Sequence, residues 1–228
     1  MDSQPNHKSS ARSELKKQQI LQKALMCFTE HGVAGTTIET ICEATQTSVG
    51  SLYHHFGNKD AIMRAVYFEG LRDFGLLMKR YLNDVGREDV VTAQHAQAGV
   101  KALVFANVDW INQQPQWAHY VFHHRPISKT KPKGKNVTSK SERQHGSNGD
   151  NKAQGKVAGS AFAAYISNWF APYIEAGLIQ DFPKELLNAF ITGPVHNYAR
   201  HWLAGRREVA LVEYRDAFAE AAWLSIKK

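Results

Sequence analysis

The sequence predicts an all-α chain in which a three-helix N-terminal head precedes a larger helical region. Three observations predict it. Alternating β-branched runs bounded by turns are nearly absent, so strands have no signal. Apolar residues recur at helical spacing in segment after segment. Residues Thr36 to Ile62, TTIETICEATQTSVGSLYHHFGNKDAI, carry the spacing of a helix, a four-residue turn and a short second helix, a helix-turn-helix.

The first helix is predicted from about Ser13 to His31, with Ile20, Leu21, Ala24, Leu25 and Phe28 on one face and Gly32 as terminator. Thr36 is placed as cap of the second, with Glu39 three positions on returning a bond to the cap's amide as in a capping box, and with Ile38, Ile41 and Cys42 sharing its apolar face. Thr45-Gln46-Thr47 breaks the periodicity. Ser48 caps the third helix, whose spacing points Val49, Leu52 and Phe56 inward and Ser48, Ser51, His54 and His55 outward. A helix so short buries little, so it must be held by its neighbours and serves to present side chains. Asn58 caps a fourth helix that runs through Phe68, Leu71, Phe74 and Met78 to about Asn83, with Gly86 at its end.

Further helices are predicted over Asp89 to Asn112, Gln116 to His124 (restarted by Pro115), Val157 to Glu175 (ended by Gly177), Lys184 to Ala204 and Glu208 to Ile226. Pro194 should kink the eighth and free carbonyls near His196 and Asn197. In the ninth, Phe218, Ala219, Ala221, Ala222 and Trp223 mix small and large side chains, a composition suited to close packing against a partner helix. Residues 125 to 156 are rich in Lys, Ser, Gly and Asn with almost no apolar side chain, and read as a disordered loop.

At 228 residues, 43% hydrophobic and 21% charged, the chain has the composition of a globular protein with a sizeable core. No apolar run approaches the ~18 residues needed to span a bilayer, and the opening MDSQPNHKSSAR is polar where a signal peptide is apolar, so a cytoplasmic location is expected. Cys27 and Cys42, the two cysteines, fall on apolar helix faces and read as buried thiols of a reducing compartment. The net charge of +7 invites a nucleic-acid reading, but its location weakens that argument. Residues 125 to 156 hold nine Lys or Arg against two acids, while residues 1 to 59 hold six against five. What supports DNA contact is local: Lys8, Arg12, Lys16 and Lys17 lead into the first helix, and Lys59 opens the fourth.

Gly50-Ser51-Leu52-Tyr53-His54-His55-Phe56, followed by Lys59, resembles the tetracycline-repressor (TetR) family of regulators, and ILQKALMCFTEHG from Ile20 to Gly32 looks like that family's first helix. The specific part covers about the first quarter of the chain. Where the family has Gly-Val in the turn, this chain has Gln46-Thr47, and a non-glycine residue at positive φ is strained. The resemblance implies a flexible basic arm over 1–12, a DNA-binding domain over 13–58 and a helical ligand-binding and dimerisation domain over 59–228.

By the same carry-over Thr37, Tyr53 and Lys59 would hold phosphates, with Thr36 beside them at the start of the second helix. Val49, Gly50, Ser51 and His55 would lie nearest base edges, with Ser48 and His54 alongside and Glu39 facing the groove. No Arg, Lys, Asn or Gln stands on that reading face, so bidentate pairs to guanine or adenine are unavailable, and thymine-methyl, hydroxyl and shape contacts must supply the specificity. The larger domain would hold a small molecule among Phe105, Trp110, Trp117, Tyr120, Tyr165, Trp169, Tyr173 and His196, aromatics that favour a flat, apolar or cationic ligand.

The implied function is that of a ligand-responsive regulator, a repressor bound as a homodimer to a palindromic double-stranded DNA operator, with the last two helices of each subunit forming the dimer bundle. Two other classes compete. A DNA-packaging protein would use the basic loop without sequence preference. A helical metal enzyme would use His119 with His123, an i, i+4 pair, and His124, His196 or His201. No HExxH pattern, nucleophile elbow, phosphate loop or dinucleotide fingerprint supports catalysis, so no enzyme, metal or cofactor is expected.

Overall fold

The computed structural model describes residues 6–86, 91–126 and 164–228. Among them the elements are α1 (Asn6–Gly35), α2 (Ile38–Thr45), α3 (Val49–Phe56), α4 (Lys59–Val85), α5 (Ala93–Gln113), α6 (Pro115–His123), α7 (residues 164–175), α8 (Lys184–Leu203) and α9 (Arg215–Ile226), the last preceded by a 3-10 turn at Leu211–Tyr214. No named strand occurs among the described residues, where the one β feature is an isolated bridge between Ile179 and Lys227. The basic segment beyond Pro126, the predicted start of the seventh helix at Val157 and that of the fifth at Asp89 lie outside the described residues.

The chain divides into two compact units. The first, the head, runs to Phe68, with His124 to Pro126 joined to it; the second holds Glu69 to His123 and residues 164–228. The division falls inside α4 rather than at Lys59, because Ala61, Ile62 and Val66 in the first turns of that helix are buried within the head.

In the head, α1 begins at Asn6, seven residues before the predicted start, so the arm from Asn6 to Arg12 is helical. Once the amphipathic body is nucleated, each added residue of NHKSSAR contributes a backbone hydrogen bond at little cost, and none of them is a breaker. The helix proper breaks at Gly32, whose φ of 69° and ψ of 160° only glycine takes easily. Ile20, Leu25 and Phe28 are almost fully buried, and Ile41, Leu52 and Phe56 of α2 and α3 join them in the core.

The second unit is built around α5. This helix is apolar on nearly every side, burying Ala96, Val100, Leu103, Val104, Val108 and Ile111 among others, and it packs against α6, α8 and α9. Thr92 caps it by accepting from the His95 amide at 3.1 Å. The ninth helix starts later than predicted, at Arg215 instead of Glu208, because the phenol of Tyr198 donates to the Val209 carbonyl at 2.9 Å and Leu211 is drawn fully into the core. Ala219, Ala222, Trp223 and Ile226 face inward against this chain's own helices. Of the predicted stripe, Ala219, Ala222 and Trp223 are therefore buried, Phe218 is half-buried and Ala221 is exposed; the outward side of α9 carries Asp216, Glu220 and Ser225 together with Ala217, Ala221 and Leu224. Pro194 lies within α8; the carbonyl it deprives of an amide is that of Phe190, four residues earlier, rather than those near His196.

Candidate nucleic-acid interface

The head holds the short helix α3 through two caps and a closed turn. Thr37, with extended φ and ψ, accepts from the Thr40 amide at 3.1 Å, so Thr37 caps α2 and Thr36 does not. Thr36 is fully buried, its hydroxyl 2.8 Å from the Gly32 carbonyl and 3.0 Å from that of Cys27. It closes the C-terminal end of α1, whose last carbonyls lack helical amides, and it is removed from the DNA-contact set. Glu39 becomes the second helical residue, and its own amide and then the Thr37 hydroxyl hold its carboxyl below the usual range.

The turn closes with the Thr47 amide on the Cys42 carbonyl at 3.0 Å and the Gln46 amide on that of Glu43 at 3.2 Å, the paired bonds of a Schellman motif. That motif puts Gln46 in the left-handed region, φ 52° and ψ 41°, and no other non-glycine residue among those described has positive φ. The strain foreseen at this turn is therefore present. Gln46→Gly is expected to stabilise the head by about 0.5–1 kcal/mol, the left-handed penalty less the extra backbone entropy glycine loses on folding. A thermal melt that falls would contradict the turn geometry.

Ser48 caps α3 by accepting from the Ser51 amide at 3.2 Å. Leu52 and Phe56 are buried, but Val49 is 41% exposed, so of the two positions assigned to it the outward one is right. Glu39, Ser48, Gly50, Tyr53 and His54 are exposed, and Ser51, His55 and Lys59 are half-exposed. Thr37 is exposed at the neighbouring helix start. The surface so formed is small, with hydroxyl and apolar groups but no amide or guanidinium on α3 itself. Burial, followed by the charges of His54, Lys17 and Lys16, holds the His55 imidazole below its usual range, which brings the basic start of α1 within electrostatic reach of α3. Cys27 and Cys42 are buried free thiols, both raised chiefly by burial.

The eight aromatic and histidine candidates of the second unit do not converge on one site. Trp169 is 4% exposed, stacked on Tyr173 at 5.2 Å and tilted against His95 at 5.5 Å, and a Cβ on Gly99 would fall inside its ring. Tyr173 bonds to Nδ1 of His95. Trp117 covers Gly70, where a Cβ would meet it at 2.9 Å, and Tyr120 beside it is 2% exposed. Phe105 lies under the guanidinium of Arg215, 3.6 Å from the ring centre. Tyr165 donates to Asn83 at 2.5 Å. Trp110 donates to Asp73 at 2.9 Å and packs on Phe74, which with Phe122 flanks His196. Of the eight, Trp169 and Tyr173 share one cluster with His95, and Trp110 and His196 share another through Phe74. An open depression of about 470 Å³ lies elsewhere, lined by residues of α5 and α9 that include Gln94, Gln97, Ala98, Lys101, Asp216 and Ala219.

His196 donates from Nε2 to Oδ1 of Asn107 at 3.2 Å, and burial, then the Arg200 guanidinium, push its imidazole down to about 4. The unfolded chain takes up this proton near pH 6.5 and the folded chain does not until about 4. Stability is therefore fully present above 6.5 and falls as the pH drops toward 4, by about 2–3 kcal/mol for a ring that keeps some solvent contact. Denaturant midpoints measured from pH 7 to 4 should show that loss, and His196→Gln should remove it.

His119 and His123 stack at 4.3 Å, with Nδ1 of His123 donating to the His119 carbonyl at 2.8 Å, and among the described residues no group of three His, Cys, Asp or Glu is placed to hold an ion. No described helix is long and apolar enough to cross a membrane.

The family model of bacterial regulatory proteins, tetR family, matches residues 20–66, the span from the core of α1 into α4. The HTH-type transcriptional repressor AcnR of Corynebacterium efficiens is 44% identical over 50 residues, 22% of this chain and 27% of that protein. The HTH-type transcriptional regulator BetI of Burkholderia thailandensis is 27% identical over 96 residues, 42% of this chain and 46% of its own. The chain thus spans well under two thirds of the curated relatives it matches. Over nearly the whole chain the fold is that of a TetR family regulator from Marinobacter aquaeolei (TM-score 0.66, 17% identity, covering 96% and 99% of the two chains). It is also that of the transcriptional regulator FadR of Bacillus subtilis in complex with stearoyl-CoA (TM-score 0.63, 14% identity, 90% and 96%). Residues 20–66 are thus similar to the DNA-binding domain of the tetR-family bacterial regulatory proteins, and the fold of the chain as a whole is the one seen in solved regulators of that family.

Proposed function

We propose that the chain is a transcriptional repressor that binds a palindromic operator as a homodimer and leaves it when a small molecule occupies the second unit. The observation that carries the reading is α3: a capped eight-residue helix whose exposed face, Ser48, Val49, Gly50 and Tyr53, has no packing role and lies in the tetR-family domain. Repression is taken from the relative AcnR, and a response to a small molecule from the fold relative FadR with its bound stearoyl-CoA. Both are assigned here by likeness. One short helix contacts too few bases for useful affinity, so two half-sites about one helical turn apart, and hence a dimer, are required. The exposed apolar residues Ala217, Ala221 and Leu224 of α9 and Leu186 of α8 are the ones this reading assigns to the dimer contact.

Footprinting the DNA upstream of the protein's own gene tests the reading. A discrete protected palindrome is expected; equal affinity for that region and random DNA at physiological salt would point to packaging through the basic segment at 125–156. Within a footprint, Lys59→Ala should weaken binding to all sequences alike and lower the slope of log K against log salt by about one, the signature of one lost phosphate contact. Val49→Ala should instead change which bases are preferred. An unaltered salt slope would remove Lys59 from the interface.

A further inference from the structure

Asn107, on the central helix α5, is wholly buried, and its amide Nδ2 has no partner among the described residues. Its Oδ1 is already committed to Nε2–H of His196. A buried amide donor left unpaired costs about 1–3 kcal/mol, so its retention at the centre of the second unit calls for an acceptor that arrives from elsewhere.

The surroundings describe that acceptor. Phe74, Phe122 and, through Phe74, Trp110 wall the His196 ring with aromatic surface at centroid separations of 4.8–6.3 Å. Gly193, one turn before His196 on α8, has no heavy atom within 4 Å of where a Cβ would stand, so open space adjoins this stretch of helix. The sign of the local field is set by Arg200, whose guanidinium lies 6.0 Å from the Phe122 ring centre and is the charge that acts on His196. Asp73, the carboxylate of this neighbourhood, is occupied by the indole N–H of Trp110. A site that keeps an imidazole neutral rejects a second cation by the same desolvation and the same charge.

We propose that the effector of this chain carries a neutral or anionic hydrogen-bond-accepting oxygen on an apolar, ring-sized body, and that this oxygen seats on Nδ2 of Asn107. The proposal rests on the ligand-responsive reading above and narrows it: the aromatic side chains alone would equally suit a cation, and Asn107, His196 and Arg200 exclude one. The groups that meet there come from α4, α5, α6 and α8, so occupancy bears on α4, the helix whose first residue is Lys59.

The test uses the full chain without DNA and three probes of one ring size, benzoate, acetophenone and benzylammonium, at millimolar concentration. The readouts are the Trp110 indole and His196 imidazole resonances. Benzoate and acetophenone should shift both and benzylammonium neither. Asn107→Leu, which keeps the volume, should weaken both acceptors at least tenfold. If that variant fails to fold, Asn107→Asp, which keeps the shape and reverses the polarity, should lose benzoate and gain benzylammonium. Preference for benzylammonium in the unaltered chain, no shift with either acceptor, or equal binding by Asn107→Leu or Asn107→Asp would overturn the proposal. Operator affinity is measured separately, so acceptor binding in a protein that finds no operator would refute the repressor and leave this site standing.

Discussion

Trp169→Ala is expected to destabilise the second unit by about 3–5 kcal/mol, the cost of removing a large buried aromatic from a site that cannot collapse. The site cannot collapse because of what surrounds the ring. One face of the indole rests on Gly99, which has no side chain to advance into a void, and the other stacks on Tyr173, which is tied to His95 by a hydrogen bond. Against a typical total of 5–15 kcal/mol, a loss of this size shifts the urea midpoint by more than 1 M. A Trp169→Ala protein with an unchanged midpoint would mean that the ring lines an open cavity after all, as its place in an aromatic series had suggested. The complementary change, Gly99→Ala, should fail for the mirror-image reason, since the new methyl and the indole claim the same space.

How much was legible in the sequence differs sharply between the two units. In the head, structure is local: Ser48, Asn58 and Gly32 act on residues within a few positions, and each performs its predicted role. Even the strain at Gln46 followed from the absence of a glycine where a left-handed residue closes the helix. Thr36 and Thr37 mark the limit. Both precede Ile38 and both can cap; what decides is that the break at Gly32 leaves α1 carbonyls within reach of residue 36, a three-dimensional fact that no spacing rule contains. In the second unit, periodicity assigned aromatics to helix faces but could not say what lay opposite. His95 meets Tyr173 across 78 positions and His196 meets Asn107 across 89. Asn107 is not legible by periodicity, because one Asn in an apolar helical run carries no pattern. The signal was composition at a single position: a polar amide in VKALVFANVDW, where every neighbouring inward residue is apolar.

The largest functional effect is expected from Leu224→Arg. Leu224 is 51% exposed on the outward side of α9, in line with Ala217 and Ala221, while Trp223 and Ala222 beside it are buried in the chain's own core. The substitution therefore removes little intrachain packing, and the monomer fold should keep its melting temperature within a degree or two. In the proposed bundle through the last two helices, however, the residue would lie in the interface, where a desolvated guanidinium on each subunit would go unpaired. Sedimentation should show a monomer at micromolar concentration. Operator binding should then fall by at least about 10³-fold, because each head contributes roughly half of a free energy that, for dimers on two half-sites, corresponds to a Kd of about 10⁻⁸ to 10⁻¹¹ M. Leu76→Arg is the control: that leucine is equally exposed, at 55%, but lies on α4, so the same charge placed there should leave the dimer and its operator affinity unchanged. A Leu224→Arg protein that sediments as a dimer would move the interface off α9; one that is monomeric yet binds its operator normally would show that a single head suffices, against the argument from the small area of α3.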